Sequence, residues 1–222
     1  MSSESSVLAH HFDDLEQQHE AATLGMWAFL VTELLFFGGL FTGYTVYRWR
    51  TPLAFEEASR HLDLWLGTIN TGVLLVSSLT MALAVHAAQL SRHRAATMYL
   101  LLTVLLGAGF LIIKMVEYGH KFTQGIYPGS IENIHVPPEL AAQGVQPNNV
   151  ALFYSFYFTT TGLHALHMLI GMGLLLSLAV RTARGRLMGE AATRVEITGL
   201  YWHFVDIVWI FVFPLYYLIG LT

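Results

Sequence analysis

The sequence predicts an all-α fold: a polytopic membrane protein built as a bundle of five transmembrane helices. Three observations lead there. Of the 222 residues, 55% are hydrophobic and only 12% are charged, about half the charged share of an ordinary soluble domain. The apolar residues gather in runs of about twenty or more, the length a helix needs to cross a bilayer. Such runs are too long for the alternating strands of a membrane β-barrel. Cysteine is absent, which excludes disulfides, iron–sulfur clusters and thiolate metal sites and leaves the redox compartment open.

The elements follow in order. Residues 1–23 carry Glu4, Asp13, Asp14, Glu16 and Glu20 with no Lys or Arg. With no basic segment ahead of the first apolar run, a cleaved signal peptide is not expected. This stretch reads as an acidic, solvated and partly frayed cytoplasmic tail, and residues 24–222 as the membrane domain. Five spans are expected at about 24–47, 64–90, 95–118, 150–180 and 195–221. Arg48-Trp49-Arg50 and Pro52 close the first, and Ser91-Arg92-His93-Arg94 turns the chain between the second and third. Residues 119–149 hold Pro128, Gly129, Pro137, Pro138, Gly144 and Pro147. They read as a loop with at most a short helix near Pro138–Gln143. Glycines at Gly38, Gly39, Gly43, Gly107, Gly109, Gly162, Gly171 and Gly173 suggest close helix approach.

Basic residues set an expected orientation. With a cytoplasmic N-terminus, the inner segments carry Arg92, Arg94, Arg181, Arg184, Arg186 and Arg194. The outer ones carry Arg48, Arg50, Arg60 and Lys121. Six against four favours the N-terminus inside and the C-terminus outside.

Ionisable groups inside these spans are the candidate functional residues, because a charge at membrane depth persists only where it faces protein, water or a head group. Glu33 falls near the middle of the first span among Phe29, Leu30, Leu34, Phe36 and Phe37. A neutral carboxyl facing another helix or a cleft is expected there. It serves either as a structural hydrogen-bonding group or in proton exchange. Lys114 and Glu117, three residues apart, can pair on one helix face, or Lys114 can snorkel to the head groups. His164 and His167 share the same spacing. They read as a metal pair completed by His86, His203, Asp206 or Glu33, as axial heme ligands, or as polar contacts across helices. His203 and Asp206 pose the same choice inside the final run, Gly199–Thr222, with the carboxyl placed to orient the imidazole. Nothing resembles a phosphate loop, a nucleophile triad or a nucleic-acid surface, and no catalytic residue is assigned.

Five segments resemble subunit III of the heme–copper oxidases, the cytochrome c oxidase family. They are Glu33-Leu34-Leu35-Phe36-Phe37, Leu66-Gly67-Thr68-Ile69-Asn70-Thr71 through Ser77-Ser78, Lys114-Met115-Val116-Glu117-Tyr118, Thr161-Gly162-Leu163-His164-Ala165-Leu166-His167, and Tyr201-Trp202-His203-Phe204-Val205-Asp206-Ile207-Val208-Trp209. The chain is similar to the five-helix bacterial form, lacking the first two of seven helices.

The resemblance implies a non-catalytic subunit of a cytochrome c- or quinol-oxidising terminal oxidase. Such a subunit packs on subunit I, with subunit II in the complex and a larger respiratory supercomplex as a further partner, in the bacterial cytoplasmic (inner) membrane. It binds phospholipid and supports oxygen access and proton uptake. Heme and copper would reside in the partner and none in this chain, which argues against metal at His164, His167 or His203. Glu33 matches the family's buried glutamate. Phe29 matches a lipid-cleft position, with His164, His167, His203 and Asp206 as further cleft candidates. The alternatives are a nitric oxide reductase-associated relative and, from another class, a stand-alone heme-b electron carrier.

Overall fold

The computed structural model describes residues 12–128, 131–184 and 191–221. Its elements are α1 (Leu15–Arg50), α2 (Pro52–Arg60), α3 (Leu64–Gln89), α4 (His93–Thr123), α5 (Pro138–Ala142), α6 (Pro147–Ala183) and α7 (Ala191–Phe213). The last helix continues through a π-helical turn, Pro214–Leu218, and a 3₁₀ turn, Ile219–Leu221. Five helices are long and apolar enough to cross a membrane. No strand occurs among the described residues.

The expected spans are all found; α3 keeps its expected bounds to within a residue, while α1, α4 and α6 extend at both ends and α7 starts earlier. α1 begins at Leu15, so residues 15–23 are helix and not frayed tail. Asp14 supplies the reason: its carboxylate caps the helix by accepting from the Gln17 N–H at 2.7 Å, and Glu16 sits favourably in the positive first turn. At 36 residues the helix is about 54 Å long, far more than the bilayer core needs. Its first turns therefore continue beyond the membrane. The earlier part of the expected tail, with Glu4, lies outside the described residues, as does Arg186.

α2 is an addition to the expected elements. Thr51 breaks the backbone at the end of α1, and Pro52 restarts it at the first helical position, where a missing N–H costs nothing. Pro138 and Pro147 open α5 and α6 in the same way, and α5 matches the short helix expected at this point of the loop. Asp63 caps α3 through the Leu66 N–H at 3.0 Å. The α3–α4 turn is tight enough to hold Ser91 at φ 56°.

Four helices form the bundle. α4 lies between α3 and α6, and α7 closes the ring by packing on both α3 and α6. α1 lies outside this ring against α6 and α7, and α2 crosses one end beneath α6 and the C-terminal turns. The glycines divide accordingly. A Cβ on Gly107 would come within 2.9 Å of Trp202, and one on Gly67 within 2.9 Å of Tyr217, so these two permit close approach. Gly38, Gly39, Gly109 and Gly173 meet no other helix of this chain among the described residues.

Pro214 shapes the end of the last helix. It lacks the N–H that would satisfy the carbonyl one turn earlier, so the helix widens into a π-turn. Side chains bond carbonyls within the turn itself: the Tyr44 hydroxyl donates to Leu215 O, and the Ser59 hydroxyl to Tyr216 O at 2.6 Å. α1 and α2 are thereby pinned to the C-terminus.

Candidate functional site: buried polar clusters

The polar groups inside the bundle fall into separate clusters. The largest centres on Lys114 and Glu117, which pair at 2.9 Å with side chains 4% and 2% exposed. The expected pairing is present, but the ammonium does not snorkel outward. It donates its three N–H bonds to Glu117 Oε2, the Tyr157 hydroxyl and the Tyr217 hydroxyl, all at 2.8–2.9 Å. The two phenols in turn donate to the Glu117 carboxylate at 2.7–2.8 Å. Every N–H of the ammonium therefore has an acceptor, which a charge in a low-dielectric interior requires. The Trp209 ring lies 5.3 Å from the ammonium and adds a cation–π contact. This network joins α4, α6 and the π-turn. Sequence inspection missed both tyrosines: they are 43 and 103 residues from Lys114, and nothing local marks them.

Glu33 meets His167 across the α1–α6 interface, Oε2 to Nε2 at 3.1 Å, with side chains 19% and 13% exposed. The expectation that Glu33 faces another helix is met by this contact. His167 Nδ1 lies 2.8 Å from the Leu163 carbonyl. A carbonyl only accepts, so Nδ1 carries hydrogen. The Nε2–carboxyl hydrogen bond then needs one further proton, on either atom. Tyr201 donates to the His167 carbonyl at 3.0 Å. Phe29, 41% exposed, packs on the Tyr201 ring.

His164 and His167 do not share a site. His164 is fully buried, edge-on to Phe110 and tilted against Trp209, with ring centroids 5.4 and 5.2 Å away. Neither of its nitrogens makes a hydrogen bond among the described residues. It lies in the bundle interior and cannot line a lipid cleft, which corrects that assignment. The same holds for Asp206, 4% exposed. His203 hydrogen-bonds the Ser78 hydroxyl at 2.7 Å through Nδ1. No hydrogen bond joins the Asp206 carboxyl to the imidazole directly; the Ser78 hydroxyl that meets His203 also neighbours the carboxyl and stands between the two. As for metal, no group of three or more His, Cys, Asp or Glu able to hold an ion occurs among the described residues. His164, His167 and His203 point to three different surroundings.

Fold and site together define a polytopic helical membrane protein whose largest interior polar cluster is a closed, charge-paired network. Comparison with known proteins narrows that class. The sequence model of the family described as "Cytochrome c oxidase subunit III" matches residues 148–221. The chain is 30% identical to "Quinol oxidase subunit 3" of Bacillus spizizenii (strain W23), over 93% of this chain and 93% of the relative. It is equally similar, with the same coverage, to "Quinol oxidase subunit 3" of Bacillus subtilis (strain 168). "Probable quinol oxidase subunit 3" of Staphylococcus haemolyticus is 28% identical over 95% of this chain and 94% of the relative. The chain belongs to the heme–copper oxidase (cytochrome c oxidase) subunit III family. It is an integral membrane protein and a subunit of a multi-subunit respiratory oxidoreductase.

Proposed function

We propose that this chain is a non-catalytic, cofactor-free subunit of a terminal oxidase, bound to the heme- and copper-bearing subunit I with subunit II in the same complex. In this role it stabilises subunit I, holds phospholipid, and supports oxygen access and proton uptake. The observation that carries the reading is the relationship to oxidase subunit III proteins over 93% of both chains. The geometry supports it. Lys114, Glu117, Glu33 and His167 are committed to pairs, and such pairs suit a scaffold by locking helices together. α1, held on one side only, carries a broad apolar face with Val31, Leu34, Leu35 and Phe36 exposed, suited to lipid and a neighbouring subunit.

The names of the relatives favour quinol as the electron donor of the complex. The orientation proposed is N-terminus cytoplasmic and C-terminus periplasmic in a bacterial cytoplasmic membrane, from the distribution of basic residues. Five spans place the two termini on opposite sides.

The test is purification in a mild detergent with mass spectrometry of proteins and lipids, together with an absorption spectrum. Co-purification with a heme–copper oxidase subunit I, and a heme spectrum that leaves with that subunit, is the expected result. Co-purification with a nitric oxide reductase, or heme remaining on the isolated chain, overturns it.

A further inference from the structure

A crevice of about 270 Å³ opens between the start of α3 and the end of α4, lined by His61, Leu62, Asp63, Leu66, Glu117, His120, Lys121 and Gln124. It lies at the end of the bundle where exposed Trp65 and Phe122 mark the level of the lipid head groups. On its wall is the Lys121 ammonium, in a residue only 5% exposed. That ammonium donates one hydrogen bond to the His61 carbonyl. The Glu117 and Asp63 carboxylates act on it electrostatically but no second hydrogen bond or close ion pair of it is formed among the described residues, so two N–H donors remain. Asp63 uses Oδ1 to cap α3, which leaves Oδ2 as an acceptor. The Glu117 charge is already neutralised by Lys114 and two phenols, and His61 leans away toward Glu57 at 3.3 Å. The crevice thus presents one cation with donors to spare and one carboxylate with an acceptor to spare, beside the apolar wall of Leu62 and Leu66.

We propose that this crevice binds the zwitterionic head group of an aminophospholipid, its phosphate on Lys121 and its ammonium on Asp63. A net-anionic head group would gain Lys121 but meet Asp63 unpaired. A choline head group offers no N–H to the carboxylate. Phosphatidylethanolamine satisfies both charges, and its acyl chains leave along the lipid-facing side of α3 and α4. This site is separate from the α1–α6 interface, and its failure leaves the oxidase-subunit reading intact, because co-purification tests that reading independently.

The experiment uses the intact oxidase complex, delipidated and reconstituted with equimolar phosphatidylethanolamine, phosphatidylcholine and phosphatidylglycerol, followed by native mass spectrometry of the lipid retained on this subunit. Asp63→Asn is the informative variant, because asparagine caps a helix as well as aspartate does while removing the charge. The wild type is expected to retain phosphatidylethanolamine over phosphatidylglycerol by up to about fivefold, the worth of one partly exposed charge pair. Asp63→Asn is expected to abolish or reverse that preference. Soluble phosphoethanolamine in excess should displace part of the retained lipid, and inorganic phosphate should not. Equal retention of the three lipids by the wild type overturns the proposal, as does an unchanged preference in Asp63→Asn. Displacement by inorganic phosphate alone also overturns it, since that would identify a simple anion site. Should Asp63→Asn not assemble, the wild-type retention ratio and the displacement assay still decide.

Discussion

The Lys114–Glu117 network offers the sharpest test of how this interior is held. Lys114→Met keeps the length of the apolar stem and deletes the cation. Glu117 then remains 2% exposed with two phenol donors and no hydrogen-bonded cation, Lys121 acting on it only from a distance. Glu117→Gln does the reverse, leaving an ammonium among neutral oxygens. Removing one member of a buried pair costs about 3–5 kcal/mol, because the survivor is an uncompensated charge. The double variant leaves the Lys114–Glu117 network itself without a charge. The amide carbonyl that Glu117→Gln introduces can still accept from Tyr157 or Tyr217, and methionine fills the volume of the lysine stem. Its cost should fall to about 1–2 kcal/mol, the worth of an imperfectly paired phenol. The assay is the thermal midpoint for loss of this subunit from the purified complex. The expected order is wild type highest, the double variant next and both single variants lowest, with strong non-additivity between the two sites. A double variant that loses as much as the two singles combined would show that the residues act independently, and that the network is not the lock between α4, α6 and the C-terminal turn.

Further outcomes follow from the same geometry. Glu33→Gln should assemble like the wild type, since an amide N–H can donate to His167 Nε2 as a protonated carboxyl would; Glu33→Ala strands that nitrogen and opens a cavity, and should lose about 1–3 kcal/mol of subunit retention. Oxygen reduction abolished in a fully assembled Glu33→Gln complex would refute the supporting role given to this carboxyl. His164→Phe should be neutral or stabilising in the melting assay, because it replaces two unpartnered buried nitrogens with a ring that suits Phe110 and Trp209, whereas His167→Phe should destabilise by leaving Glu33 alone. Metal analysis of the isolated subunit should find less than stoichiometric iron, copper and zinc. Because the chain has no native cysteine, a single Gln143→Cys substitution on the exposed loop can be labelled cleanly, and impermeant reagents should reach it from the periplasmic side only.

The helices were legible in the sequence because each depends on its own residues: a run of apolar side chains, a capping aspartate, a proline at the first turn. The Lys114–Glu117 pair was legible for the same reason, as both partners lie on one helix three residues apart. α2 escaped because nine residues are too few to form an apolar span, although their amphipathic periodicity is strong. The fate of His164 and His167 was not legible. Three residues advance a helix by about 300°, leaving the two side chains about 60° apart. In a helix flanked by neighbours on several sides, that angle is enough to send one ring into the bundle and the other to α1. Likewise Glu33 meets a partner 134 residues away, and Tyr217, in the π-turn that follows Pro214, meets Glu117 100 residues away. Periodicity fixes which residues share a helix face, whereas the neighbour each face meets is set by how the helices rotate and pack, and that was decided only in the tertiary structure.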